Sequence, residues 1–409
     1  LNVCHVQLLR HAFRLASGAR VALVGGLLGV VACSASDTAR ARTSDSAATT
    51  PAVAPSGEGP ALRIEQLWQT DAEASFSYIV DLDVDRHGAV YVADADPFSV
   101  TVISPRGRVL RTIGRPGAGP GEFRGIGNVQ AGEGDTLFVF DNVLQRINAF
   151  RSGDDSVVYS RTVTNQGSGS PEQVYRIGAT SQLLATYMAP VRAEASDAQF
   201  ADRRMVVRVL GADGRPVRDS LLTGVGRSNL FRRSRMGSMI SVGTNVFGRQ
   251  PIVRFSTGKR VVYARTDTVA VMVVALDGTA TRRCAMTTST VPVRPEDLAR
   301  ERERTSARLR DVLSDSMPVA WPPLADVVVD EHDGVWLGLT GAGGQPDRWV
   351  WCDADGVVRG TVRFSADMRL AAVRANHLYI IGSDENQVPS VYAFRLLDTL
   401  AAERGRGRK

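Results

Sequence analysis

At 409 residues, 44% of them hydrophobic, the chain is long enough to bury a large core. Its formal charge of +6 is mild, and much of it sits at the ends, in Arg10, Arg14 and Arg20 and in Arg404, Arg406, Arg408 and Lys409. The stretch between is close to neutral, which argues against a nucleic-acid-binding face, while 39 glycines with only 6% aromatics suit many short strands joined by turns.

The first predicted element is an export signal over residues 1–32. Three arginines and no acidic residue precede the apolar run Val21–Ala32, the order of a secretory signal. The run is a dozen residues, short of the roughly 20 that a membrane-spanning helix needs. Val30-Val31-Ala32-Cys33 resembles the bacterial lipobox, in which aliphatic and small residues precede a cysteine. The resemblance implies cleavage before Cys33 and a diacylglycerol on its thiol, anchored by about 0.8 kcal/mol per buried methylene. The competing reading is an ordinary cleaved signal followed by an incidental cysteine. Residues 33–60 are rich in Ser, Ala, Thr, Pro and Gly without apolar period; they cannot bury enough surface to offset chain entropy and read as a flexible tether.

Residues 61–398 carry internal repeats. One unit runs Asp83–Asp94, Ser99–Gly107 and Arg108–Gly114, each piece a short alternating strand that ends at a turn signal. Four such strands in about forty residues make one propeller blade. The pattern returns at Asp135–Asp141 with Gln145–Gly153, at Asp326–Leu337 with Arg348–Phe364, and at Ala372–Ile381 with Ser390–Leu396; two noisier units lie at about 174–222 and 239–287. The expectation is an all-β, six-bladed β-propeller of four-stranded antiparallel blades, closed by a strand near Leu62–Trp68 that completes the last blade and removes the open edge. Gly114-Arg-Pro-Gly-Ala-Gly-Pro-Gly-Glu-Phe123 resembles the interblade signature of NHL-repeat propellers. Trp321-Pro-Pro before Asp326, with Val335-Trp336 after the turn, is similar to six-bladed propeller lipoproteins of Gram-negative bacteria. A helical insertion is predicted at about 294–316: Pro295, Glu296 and Asp297 make a helix start, and Leu298, Leu309, Val312 and Leu313 form a narrow apolar stripe on an otherwise charged, solvated segment. The basic tail, 399–409, is read as frayed.

Few residues point to chemistry. The Gly114 run lacks the Gly-Lys-Ser/Thr ending of a phosphate loop. His87, His332 and His377 fall between the first two strands of their repeats and read as turn residues; no His-x-x-x-His or Cys-x-x-Cys pair supports a zinc site. The recurrent aspartates read as turn caps, with Asp83 and Asp326 as the candidates for a cation in the channel. Gluconolactonase-type propellers hold such a metal with one Glu, two Asn and one Asp, a set that does not map onto this sequence. Cys284 and Cys352 could pair as a disulfide in an oxidising compartment, although two unpaired thiols in separate strands are the favoured reading. No cofactor is implied. The sequence thus predicts a lipid-anchored cell-envelope propeller acting as a binding or scaffolding module for a protein or glycan. Ser34 after Cys33 is not an inner-membrane retention signal of the Asp type, which points to the outer membrane. The rival is a lactonase- or lyase-type enzyme with its site at the central channel.

Overall fold

The computed structural model describes residues 59–397, apart from 72–73, 152–155, 164–168, 190–199, 234–238, 257–258, 308, 311–312, 314–318 and 366. The segments read from sequence as export signal, acylated Cys33 and basic tail, and nearly all of the expected tether, lie outside the described residues.

Short strands with apolar residues on both faces stack as six antiparallel sheets, each entered from its inner strand. The inner strands are Ile79–Val84, Asn128–Ala131, Pro171–Arg176, Pro251–Phe255, Leu324–Val329 and Arg369–Arg374, one for each blade in chain order. The protein is a six-bladed β-propeller. Sheet-on-sheet burial accounts for its cohesion: six apolar clusters fill the six seams between successive blades. At the fifth-to-sixth seam, Trp336 and Trp349 are fully buried, and Trp336 stacks on Trp351 at 5.8 Å. A Trp brings up to about 250 Å² to such a cluster.

The ring closes as expected. Ile64–Gln69 pairs with Pro389–Leu396 as the outer strand of the sixth blade, Ile64 opposite Leu396 and Gln69 opposite Tyr392. Trp68 then reaches the first blade, where its indole N–H donates to the Pro105 carbonyl at 2.9 Å. Its ring lies over Gly107, which has φ +82° and where a Cβ would come within 2.8 Å of the indole; only glycine fits there.

Two features depart from the simple repeat. The third blade has five strands, because Pro216–Arg233 outgrows its neighbour and pairs at its far end, Asn229–Arg233, with Met239–Thr244. The noisy repeat unit expected to open at Met239 is therefore split: that segment belongs to the third blade, and the fourth begins at Pro251. Between the fourth and fifth blades, the helix Pro295–Arg304 starts on the expected Pro and acidic residues. Asp297 caps it, accepting from the Arg294 N–H at 3.1 Å and the Trp321 indole at 3.3 Å. The helix is solvated, but the segment after it is not. Leu309 and Leu313 are buried in a seventh cluster with Leu230, Phe247 and Trp321, so the insertion is packed onto the ring; Val312 lies outside the described residues.

Candidate functional site: the central channel

Inner strands are the free edges of their sheets, so their N–H and C=O groups face the channel without ladder partners. The first three blades supply those partners from side chains. Alternation puts Asp81 and Asp83 on one face of their strand. The Asp81 carboxylate accepts from the Val129 N–H at 2.9 Å and Asp83 from the Ala131 N–H at 2.8 Å. One blade further, the Asn128 amide donates to the Val174 carbonyl at 2.9 Å and accepts from the Val174 N–H at 3.0 Å. Gln130 does the same with Arg176, at 3.0 and 2.7 Å. Each carboxamide mimics a strand backbone, and period-2 spacing carries the ladder across two seams.

On the opposite side, ions replace amides. Arg254 of the fourth blade meets Asp326 of the fifth at 2.5 Å, and Arg369 of the sixth approaches the same carboxylate at 3.6 Å. Around this wall lies a cavity of about 220 Å³, lined by residues that include Asp81, Asp83, Tyr175, Arg254, Asp326 and Arg374. A second cavity of about 330 Å³ opens at the starting ends of the inner strands, lined by Asn142, Glu172, Thr186 and Arg227 among others, and again by Arg254. Glu172 and Arg227 pair there at 3.2 Å.

Burial governs the electrostatics. It pushes the Asp83 carboxyl up to about 6, against the Ala131 and Val84 N–H bonds that favour its charge; the Asp81 charge adds to the rise and Arg374 opposes it. Asp81 is raised for the same leading reason. Tyr175 is also raised, by burial first and then by the negative charges of Asp81 and Asp83. Burial works against the charge on Arg254, but Asp326, Tyr175 and Asp81 outweigh it and the net shift is upward. The channel thus holds a firm cation beside two carboxyls whose charged forms burial disfavours.

The structure places both aspartates singled out from sequence in the same channel, on the inner strands of the first and fifth blades. Asp83 is engaged with backbone N–H groups and Asp326 with two arginines. Among the described residues no group of three or more His, Cys, Asp or Glu side chains converges to hold a metal ion. Asp85 and Asp330, two of the other recurrent aspartates, cap turns. Asp85 accepts from His87 and Ala89, and Asp330 from His332 and Gly334, all at 2.7 to 2.9 Å. Cys284 and Cys352 are brought together, both buried in the apolar seam between the fourth and fifth blades. The glycine run is a turn: Gly114, at φ +77°, lies so close to Phe123 that a Cβ would fall 2.2 Å from its ring, and Arg146 donates to the carbonyls of Ala118 and Glu122 at 2.9 and 2.7 Å. Sequence reading missed Asp81, Tyr175, Arg254, Arg369 and Arg374. Their signal was present in part, since a charge inside an apolar inner strand, as in Ile252-Val-Arg-Phe255, has only the channel to face.

No family model matches the chain, and no curated protein matches it. Among solved structures it is similar to a Bacteroides fragilis protein described as exported, at 12% identity over 82% of this chain and 94% of that one, TM-score 0.44. It is similar to a Staphylococcus aureus virginiamycin B lyase solved with quinupristin, at 9% identity over 82% and 100%, TM-score 0.45. A luciferin-regenerating enzyme gives 12% over 82% and 96%, TM-score 0.43. At these identities the likeness is one of fold alone.

Proposed function

We propose that the protein is a lipid-anchored binding module of the bacterial cell envelope, held at a membrane through Cys33, that takes a small polar solute in its central channel. One observation carries the ligand side of this reading: two cavities of about 220 and 330 Å³ share Arg254 in their linings. The larger falls within the range of small-molecule sites, roughly 300–1,000 Å³. Arg254 offers a fixed cation to either cavity, and the carboxyls opposite offer acceptors whose positions are locked by the neighbouring blade. Such preorganisation lowers the ordering cost of binding. The anchor side of the reading is supported by the arginines and apolar run before Cys33 and by the lipobox-like Val30-Val31-Ala32-Cys33.

A second reading is favoured by Asp83. A carboxyl with its pKa near 6 beside a tyrosine is suited to moving a proton at neutral pH, as a lyase or lactonase would require. Because both Asp83 oxygens already accept backbone N–H groups, at Ala131 and Val84, binding is the better-supported role.

The test is a thermal-shift screen of amines, carboxylates, amino acids and sugars on wild type and Arg254→Met. The variant leaves Asp326 its second partner, Arg369. A solute that raises the wild-type midpoint by several degrees but not the variant's supports the channel as the site. Recovery of that solute unchanged after incubation identifies a binder, and its conversion identifies an enzyme. A screen in which no solute separates wild type from variant removes the channel reading and leaves the outer faces, with a protein or glycan partner.

A further inference from the structure

We propose that Cys284 and Cys352 become a disulfide across the seam between the fourth and fifth blades as the chain folds. Cys284 directly follows the outer strand Ala280–Arg283 of the fourth blade, and Cys352 ends the third strand, Pro346–Cys352, of the fifth. Both belong to the apolar cluster that fills this seam, at 2% and 0% exposure. The Cys352 thiol is the neighbour that acts most strongly on the Cys284 thiol. The backbone at Cys284 sits at φ +52°, a region that non-glycine residues rarely adopt and that is retained where the surroundings demand it. The blades approach closely at this point: a Cβ on Gly356, in the turn after Cys352, would lie 3.4 Å from the Cys284 nitrogen.

The chemistry balances with a protein disulfide donor as the oxidant. A thiolate of one cysteine attacks the donor's disulfide and forms a mixed disulfide. The second thiol then displaces the donor, so that two protons and two electrons leave the pair, one S–S bond forms, and the donor departs as a dithiol. In the finished fold the neighbouring Cys352 thiol, and burial after it, hold Cys284 protonated well above the usual thiol range. The thiolate is the reactive form, so exchange takes place before the fifth blade docks on the fourth. The bond would close a loop of about 70 residues that contains the helical insertion, a length at which a cross-link restricts the unfolded chain strongly.

The inference rests on the export reading, because cytosolic thiols stay reduced. Full-length protein extracted from membranes of an expressing bacterium is denatured in N-ethylmaleimide and mapped by peptide mass. The expected result is a linked Cys284–Cys352 peptide, about 2 Da lighter than the two thiols, with no adduct on either cysteine; Cys352→Ala gains one adduct at Cys284, a result read on the denatured chain whether or not that variant folds. Two adducts on protein whose N-terminus has been processed overturn the proposal. The same full-length chain, reduced and refolded in detergent with a glutathione redox buffer, separates the two readings. A dithiol there overturns the pairing in any compartment. A disulfide there, combined with reduced and unprocessed protein in the cell, sinks export and leaves the pairing standing.

Discussion

A single carboxyl shows how the ring trades solvation for order. Asp83 sits between two backbone donors that favour its charge, yet burial wins and the group titrates near 6 against 3.8 for its ordinary value. Between about pH 4 and 6 the folded chain therefore holds a proton that the unfolded chain has released. The sign follows. Asp83 costs stability in full above about pH 6, and the cost fades as pH falls through that window. Asp83→Asn keeps an acceptor for Ala131 and loses the titration, so its denaturation midpoint relative to wild type should rise from pH 4 to pH 7. A flat difference across that range would mean the carboxyl is not raised. Sequence made Asp83 visible as an inner-strand acid but gave no view of its partner. Ala131 lies on another blade, and which blade faces which is decided by ring geometry.

At the scale of the strand, the side-chain ladder lacing blades one to three does work that no sheet does. Asn128 is 1% exposed and satisfies both backbone groups of Val174. Asn128→Ala leaves a buried N–H and a carbonyl unpaired, a loss of about 2–4 kcal/mol, read as a lower urea midpoint with an unchanged slope. A loss under about 0.5 kcal/mol would show that water replaces the amide freely. The strands themselves were legible from alternation and turn residues, most plainly in the first, fifth and sixth blades. The third was not, because its outer strand runs on past its partner and recruits Met239–Thr244. Nothing in the local pattern marks where pairing changes hands. The insertion was half legible: its capping residues announced the helix, but that Leu309 and Leu313 pack on Phe247 and Trp321 depends on a hairpin from a different blade.

For the whole molecule, the anchor is the testable claim. Wild type should partition into the membrane fraction with a lipid-modified N-terminus, and Cys33→Ala should appear in the soluble fraction. Soluble wild type with an unmodified Cys33 would remove the anchor and leave the channel reading untouched. The ring could be inferred from the sequence because six repeat units and one orphan strand before them are accounted for when that strand completes the last blade. That orphan strand also dictates a timetable. Glu65 pairs with Arg395 across 330 positions of chain, so the ring's first strand must wait for its last. Contacts so remote in sequence are slow to form. The closing strand is thus the final bolt of the assembly, and until it slides home the sixth blade bares the edge of Pro389–Leu396 and the first blade lacks the cover of Trp68, when the chain is most open to chaperones and proteases.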